Sequence, residues 1–135
     1  MAMKRLGLGS AIEIIESDYT YESGQKAAVD IANRVVRPTA VFAANDINAL
    51  GMISEFHRLD VDVPTEISVV GYDDTDYGGS VGNQGLTTVH QPAALMGSRA
   101  AELLIEQLEH GRTDTVHEVL SPTLVVRSST TTALG

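Results

Sequence analysis

The stretch Val41-Phe42-Ala43-Ala44-Asn45-Asp46-Ile47-Asn48-Ala49-Leu50-Gly51 decides the fold. Its short apolar run stops at Asn45-Asp46, and an amphipathic segment begins there. About four to eight apolar residues is the length of a buried strand, and Asn or Asp before a periodic segment is a helix start. The two polar residues are therefore expected at the carboxyl end of a strand and at the mouth of a helix. In open α/β sheets ligands bind along that edge.

Working outward, residues 40–44 are the strand and 46–59 the helix, with Leu50, Ile53 and Phe56 facing inward. Upstream, residues 2–7 read as the last turn of a helix closing at Gly7 or Gly9. Residues 11–15 are short and β-branched, hence a strand. Thr20 is placed to cap a helix over 21–36, whose inner face is Gly24, Ala28, Ile31, Ala32 and Val35. Arg37-Pro38 ends it, because a residue before proline avoids the α region.

Downstream, residues 60–66 form a turn containing Pro64. Residues 67–72 are nearly all apolar, as expected of a parallel strand covered on both faces. Residues 73–85 form a long polar loop with Gly78, Gly79, Gly82 and Gly85, and 86–90 an extended piece. A third long helix spans 92–109, with Pro92 in its first turn, a stripe of Met96, Ala100, Leu103, Leu104 and Leu108, and Gly111 as its stop. Residues 116–120 and 124–126 read as two short strands, and the tail from Ser128 as frayed. Alternating strands and helices predict an α/β fold, a parallel sheet with flanking helices and right-handed crossovers.

With 135 residues the chain is long enough for one domain with a substantial core. Nine Lys and Arg stand against 18 Asp and Glu, a net charge of −9. The cations are scattered, so no basic stripe exists to neutralise phosphates, and the chain itself is a poor nucleic-acid binder. The same acidity opposes anionic membranes. There is no cysteine, hence no disulfide framework, thiolate metal site or cysteine nucleophile. The opening residues carry no apolar stretch of a secretory signal, and no run reaches the roughly 18 residues of a membrane span. The expected compartment is the cytoplasm.

One helix cap explains one polar residue, not two in succession. Asp46 is read as the structural cap, and Asn45, still on the strand end, as a ligand-binding residue whose amide offers both a donor and an acceptor. Asp73 ends the next strand at the same edge and is read as an acceptor for ligand hydroxyls. Tyr19 follows the first predicted strand and supplies an aromatic wall for a ring. Asp73, Asp74 and Asp76 have Gly78 at the sixth place of a calcium loop but Gln84 where its acid belongs, so no metal is expected. His57, His90, His110 and His117 show no ligand spacing. Ser80, Ser98 and Ser121 have no evident base, and no nucleophile elbow or phosphate loop is present. Recognition groups without a nucleophile–base pair indicate a binding module rather than an enzyme, with no cofactor.

Four motifs carry a resemblance. They are Arg37-Pro38-Thr39-Ala40-Val41-Phe42-Ala43-Ala44-Asn45-Asp46 with Ala49-Leu50-Gly51, and Val63-Pro64-Thr65-Glu66-Ile67-Ser68-Val69-Val70-Gly71-Tyr72-Asp73-Asp74. Leu86-Thr87-Thr88-Val89-His90-Gln91-Pro92, with Gly97 and Ala100, and Leu124-Val125-Val126-Arg127-Ser128-Ser129 complete the set. In this order they resemble the effector domain of the lactose-repressor/galactose-repressor (LacI/GalR) family of transcriptional regulators. The resemblance implies the carboxyl-terminal portion of a type I periplasmic-binding-protein-like fold, two lobes closing on a small molecule. Residues of about 1–90 and 121–130 would form the carboxyl-terminal lobe, and about 91–120 would belong to the amino-terminal lobe. The family's pattern puts effector contacts at Asn45 and Asp73, an aromatic that stacks on the effector at Tyr19, and a hinge residue near the ligand at Gln91.

The same pattern puts the DNA-binding helix-turn-helix, most of the amino-terminal lobe and an effector-binding Arg upstream of the part matched here. Gly85 stands where the family usually has Pro. The implied function is to sense a small effector, a sugar or nucleoside-like molecule, and so to modulate DNA binding by that upstream domain. A homodimer is expected, domain-swapped if this portion stands alone. The alternative is a periplasmic sugar-binding protein of a transporter, which shares the Asn-Asp helix start.

Overall fold

Three parallel strands and one antiparallel strand make a single sheet in a computed structural model that describes residues 2–76, 85–111 and 114–132. The strands are β1 (Ala40–Phe42), β2 (Ser68–Asp73), β3 (Thr87–His90) and β4 (Thr123–Val125), adjacent in that order. Val41 pairs with Val69, Gly71 with Thr88, and Val89 with Leu124. The helices are α1 (Ala2–Arg5), α2 (Tyr21–Ala32), α3 (Asp46–Arg58) and α4 (Ala93–His110).

The core lies on one face of the sheet. Ala28 and Ile31 of α2 and Leu50, Ile53 and Phe56 of α3 pack there with Ile67, Val69 and Leu86. The two helices touch through backbone. A methyl on Gly24 would overlap the Asn48 carbonyl, and one on Gly51 the Tyr21 carbonyl. Thr20 caps α2 by accepting from the Ser23 amide at 3.2 Å.

The opposite face is open, although the apolar run of β2 predicts cover on both sides. Side chains alternate along a strand, so Phe42, Val70, Tyr72, Val89 and Leu124 share this face by register. Phe42 is 63% exposed there, and its ring meets the Tyr72 ring edge-on at 6.4 Å. The stripe of α4 is likewise uncovered, and no residue of that helix is buried. Residues 114–120 run with α4 rather than with the sheet: Arg99 holds the Glu118 carboxylate through Nε and Nη2 at 3.0–3.2 Å. Gly111, with φ +62°, ends α4 in the left-handed conformation.

Several expected elements are corrected. Residues 11–15 start in a 3₁₀ turn (Gly9–Ala11) and then run on without a ladder partner among the described residues, with Ile12 and Ile14 exposed. Residues 116–120 also form no strand. Helix α2 stops at Ala32, whose carbonyl accepts from Arg37 Nε at 3.0 Å, so Val35 lies outside it and is exposed. The tail does not fray at Ser128. Ser129 is fully buried, its Oγ donating to the Val69 carbonyl at 2.6 Å and accepting from the Thr87 amide at 2.8 Å. It thereby completes backbone pairing where β2 and β3 diverge. Glycines 78, 79 and 82 lie outside the described residues.

Replacing glycine by alanine inside a helix ordinarily stabilises it by up to about 1 kcal/mol. At Gly24 and Gly51 the reverse is expected. Each alanine should destabilise by about 1–3 kcal/mol, the range of overpacking, in urea unfolding monitored by circular dichroism. A stabilised Gly51→Ala protein would mean that α2 and α3 are not in backbone contact.

Candidate functional site

Strands β1, β2 and β3 point the same way, so the segments that follow them all emerge at one edge. Asn45 emerges after β1. Its extended backbone (φ −154°, ψ 174°) makes it the N-cap of α3, where its Oδ1 accepts from the Asn48 amide at 2.8 Å. Its Nδ2 donates to the Tyr19 carbonyl at 3.2 Å. The cap is thus Asn45 and not Asp46. The reason is geometric, since the residue with non-helical backbone just before the first turn is the one whose side chain reaches the free amides.

Asp46 is already inside the helix, and its side chain is fully buried against the sheet. Oδ2 accepts from the Thr75 amide at 2.7 Å and from Thr75 Oγ1 at 3.2 Å, and Oδ1 accepts from Thr88 Oγ1 at 2.5 Å. Gly71 leaves the room this carboxylate occupies, because a methyl there would collide with Oδ1. Asn48, also buried, spreads its Nδ2 over Ser17 Oγ, the Asp18 and Thr20 carbonyls and Ser23 Oγ at 2.9–3.2 Å. It fixes the loop that carries Tyr19. Asn48, Thr75 and Thr88 do not stand out in the sequence as site residues; a polar residue at an inward position of an otherwise apolar helix face is the available signal for Asn48.

Asp73 ends β2 with φ +108°, and Asp74 follows with φ +56°. Non-glycine residues rarely have positive φ; Asp74 lies in the left-handed α region, where Asp is enriched, and Asp73 lies outside it. Asp73 Oδ1 accepts from Gln91 Nε2 at 2.8 Å. Asp74 accepts from Arg127 Nη2 at 2.7 Å and lies 3.1 Å from His90 Nδ1. The hydrogen bond and charge of Arg127, aided by His90, hold the Asp74 carboxyl below its ordinary value.

The structure therefore joins the predicted residues in two pairs, Tyr19 with Asn45 and Asp73 with Gln91, at one edge. Tyr19 is 71% exposed. Two open grooves lie elsewhere. One of about 340 Å³ runs between α4 and residues 114–116, and one of about 530 Å³ between the 15–18 loop and α2. Among the described residues no helix is long and apolar enough to cross a membrane.

A model of the periplasmic binding protein-like domain matches residues 1–130. The transcriptional repressor PurR of Photobacterium profundum is 39% identical over 116 residues, 86% of this chain and 34% of the repressor. A LacI transcriptional regulator from a Rhodococcus species superposes with a TM-score of 0.85 at 34% identity, over 96% of this chain and 47% of that one. A complex of the transcriptional regulator CelR with cellobiose superposes with a TM-score of 0.79 at 33% identity, over 93% of this chain and 40% of that one. The chain spans about a third of the length of the curated relatives it matches.

A carboxyl held below its ordinary value of 3.8 adds stability that is fully present above that value and is lost as pH falls through the lowered one. Asp74→Asn should therefore reduce stability at neutral pH and flatten part of its decline on acidification. Urea midpoints from pH 7 down to the onset of acid unfolding measure this. An unchanged pH slope in the variant would contradict the Asp74–Arg127 pairing.

Proposed function

The chain belongs to the periplasmic binding protein-like domain family, in the form carried by LacI/GalR regulators, and from that premise we propose that it is the effector-sensing part of a transcriptional repressor. The observation that carries this reading is the polar edge formed by Tyr19 with Asn45 and Asp73 with Gln91. Asn45 spends one lone pair and one hydrogen within the chain. An amide has two of each, so one acceptor and one donor remain for a ligand. The Asp73 carboxylate has acceptor capacity beyond the Gln91 bond. Tyr19, exposed and bonded to Asn45 through its carbonyl, offers a flat apolar wall. Such a set suits a neutral polyhydroxylated molecule, a sugar or the ribose of a nucleoside.

Residues 91–120 fit an amino-terminal lobe, whose sheet would cover the stripe of α4. An effector bound between the lobes favours one arrangement over another, and DNA affinity follows through differential binding to the two states. The net charge of −9 fits a chain whose protein meets DNA through another domain. A cytoplasmic homodimer is part of the same reading.

The test is a thermal-shift screen of sugars and nucleosides on the full-length protein. A cognate effector at a hundredfold excess over its Kd should stabilise it by about 2.7 kcal/mol, and Asn45→Ala or Asp73→Asn should remove most of that shift. A shift that survives in both variants would move the site elsewhere, and a silent panel would count against a sugar or nucleoside effector.

A further inference from the structure

Consecutive residues at the end of β2 divide their bonds between two strands. Asp73 takes Gln91, just past β3. Asp74 takes His90, the last residue of β3, and Arg127, two residues beyond β4. Arg127 also donates from Nη1 to the Leu86 carbonyl at 2.7 Å, ahead of β3. Between these strands the chain makes one excursion. Among the described residues from 91 to 122 none is buried, so nothing in the excursion enters the core. Strands β3 and β4 are its two stems, and one carboxylate binds both stems to the end of β2.

The backbone at this point is strained. Asp73 and Asp74 both have positive φ, a conformation that persists only where surrounding contacts over-determine it. Arg127 and His90 supply such contacts, and charge-assisted bonds are the strong ones. The groups facing it are the Arg127 charge from beyond β4 and the titratable His90 from β3, with Asp73 and Asp76 as neighbours in the chain. We infer that Asp74, with Arg127 and His90, is a positioning residue: it sets the Asp73 carboxylate and the Gln91 amide at the edge and couples them to both stems of the excursion. Movement of residues 91–122 relative to β2 must then break or carry the Asp74 bonds. The effector side of this inference rests on the function proposed above.

The test uses the full chain, labelled with nitrogen-15, and no effector. Asp74→Asn keeps the side-chain shape and the tolerance of positive φ and removes the charge. In it the Gln91 side-chain amide signal should shift. The Arg127 amide, which donates to Thr87 Oγ1 at 2.9 Å, should exchange at least about tenfold faster, as expected for a lost charged hydrogen bond. The amides of Ala43 and Val61, bonded to the Val70 and Phe56 carbonyls, should lose protection only in step with the lower global stability, and less than the Arg127 amide does. Arg127→Gln should move the same Gln91 signal, and the double variant should go no further than either single one. A Gln91 signal unmoved in the folded variants would overturn the inference. So would an equal loss of protection at the Arg127, Ala43 and Val61 amides in both variants, because the pair would then hold the fold and not the site. Neither readout depends on the effector screen, so the two readings fail separately.

Discussion

Asp46 is a carboxylate with no exposed surface, and the edge of the sheet is built to keep it satisfied. A buried charge is costly unless hydrogen bonds replace the water it has lost. Asp46 receives three, from the Thr75 amide, the Thr75 hydroxyl and the Thr88 hydroxyl. Its place in the first turn of α3 adds the favourable end of the helix dipole. Gly71 provides the space. One side chain thus ties the start of α3 to β3 and to the segment just past β2, so the three elements cannot shift independently.

The edge consequently has two layers. Asp46, Asn48 and Thr88 are buried and bonded to the chain. Tyr19, Asn45, Asp73 and Gln91 lie outside them, with the Asn45 amide bonded to the Tyr19 backbone carbonyl and the Gln91 amide to the Asp73 carboxylate. Preorganised polar groups of this kind can meet a ligand without first being ordered, which lowers the cost of binding. The open face of the sheet and the bare stripe of α4 belong to a chain that spans about a third of its curated relatives.

The strand–helix junction at Asn45-Asp46 was legible because the apolar run ends abruptly and the 3.6-residue period begins at once. The same held for β2, and for the inward set of α3, whose spacing alone selects Leu50, Ile53 and Phe56. That Asn45 and not Asp46 caps the helix was not legible: which of two adjacent polar residues caps depends on the backbone conformation just before the first turn. Residues 11–15 and 116–120 have strand composition but no ladder partner among the described residues, and composition does not report partners. The twist at Asp73-Asp74 was hidden as well, because the Arg127 contact that holds it comes from 53 residues further on.

The central claim is that the edge made by β1, β2 and β3 receives the effector. Amide and side-chain chemical-shift mapping on the full-length protein, with the sugar or nucleoside that stabilises it most, tests this directly. The largest changes within this chain should fall at Tyr19, Asn45, Asp73 and Gln91. Changes concentrated instead in the groove between α4 and residues 114–116, with those four unmoved, would contradict it.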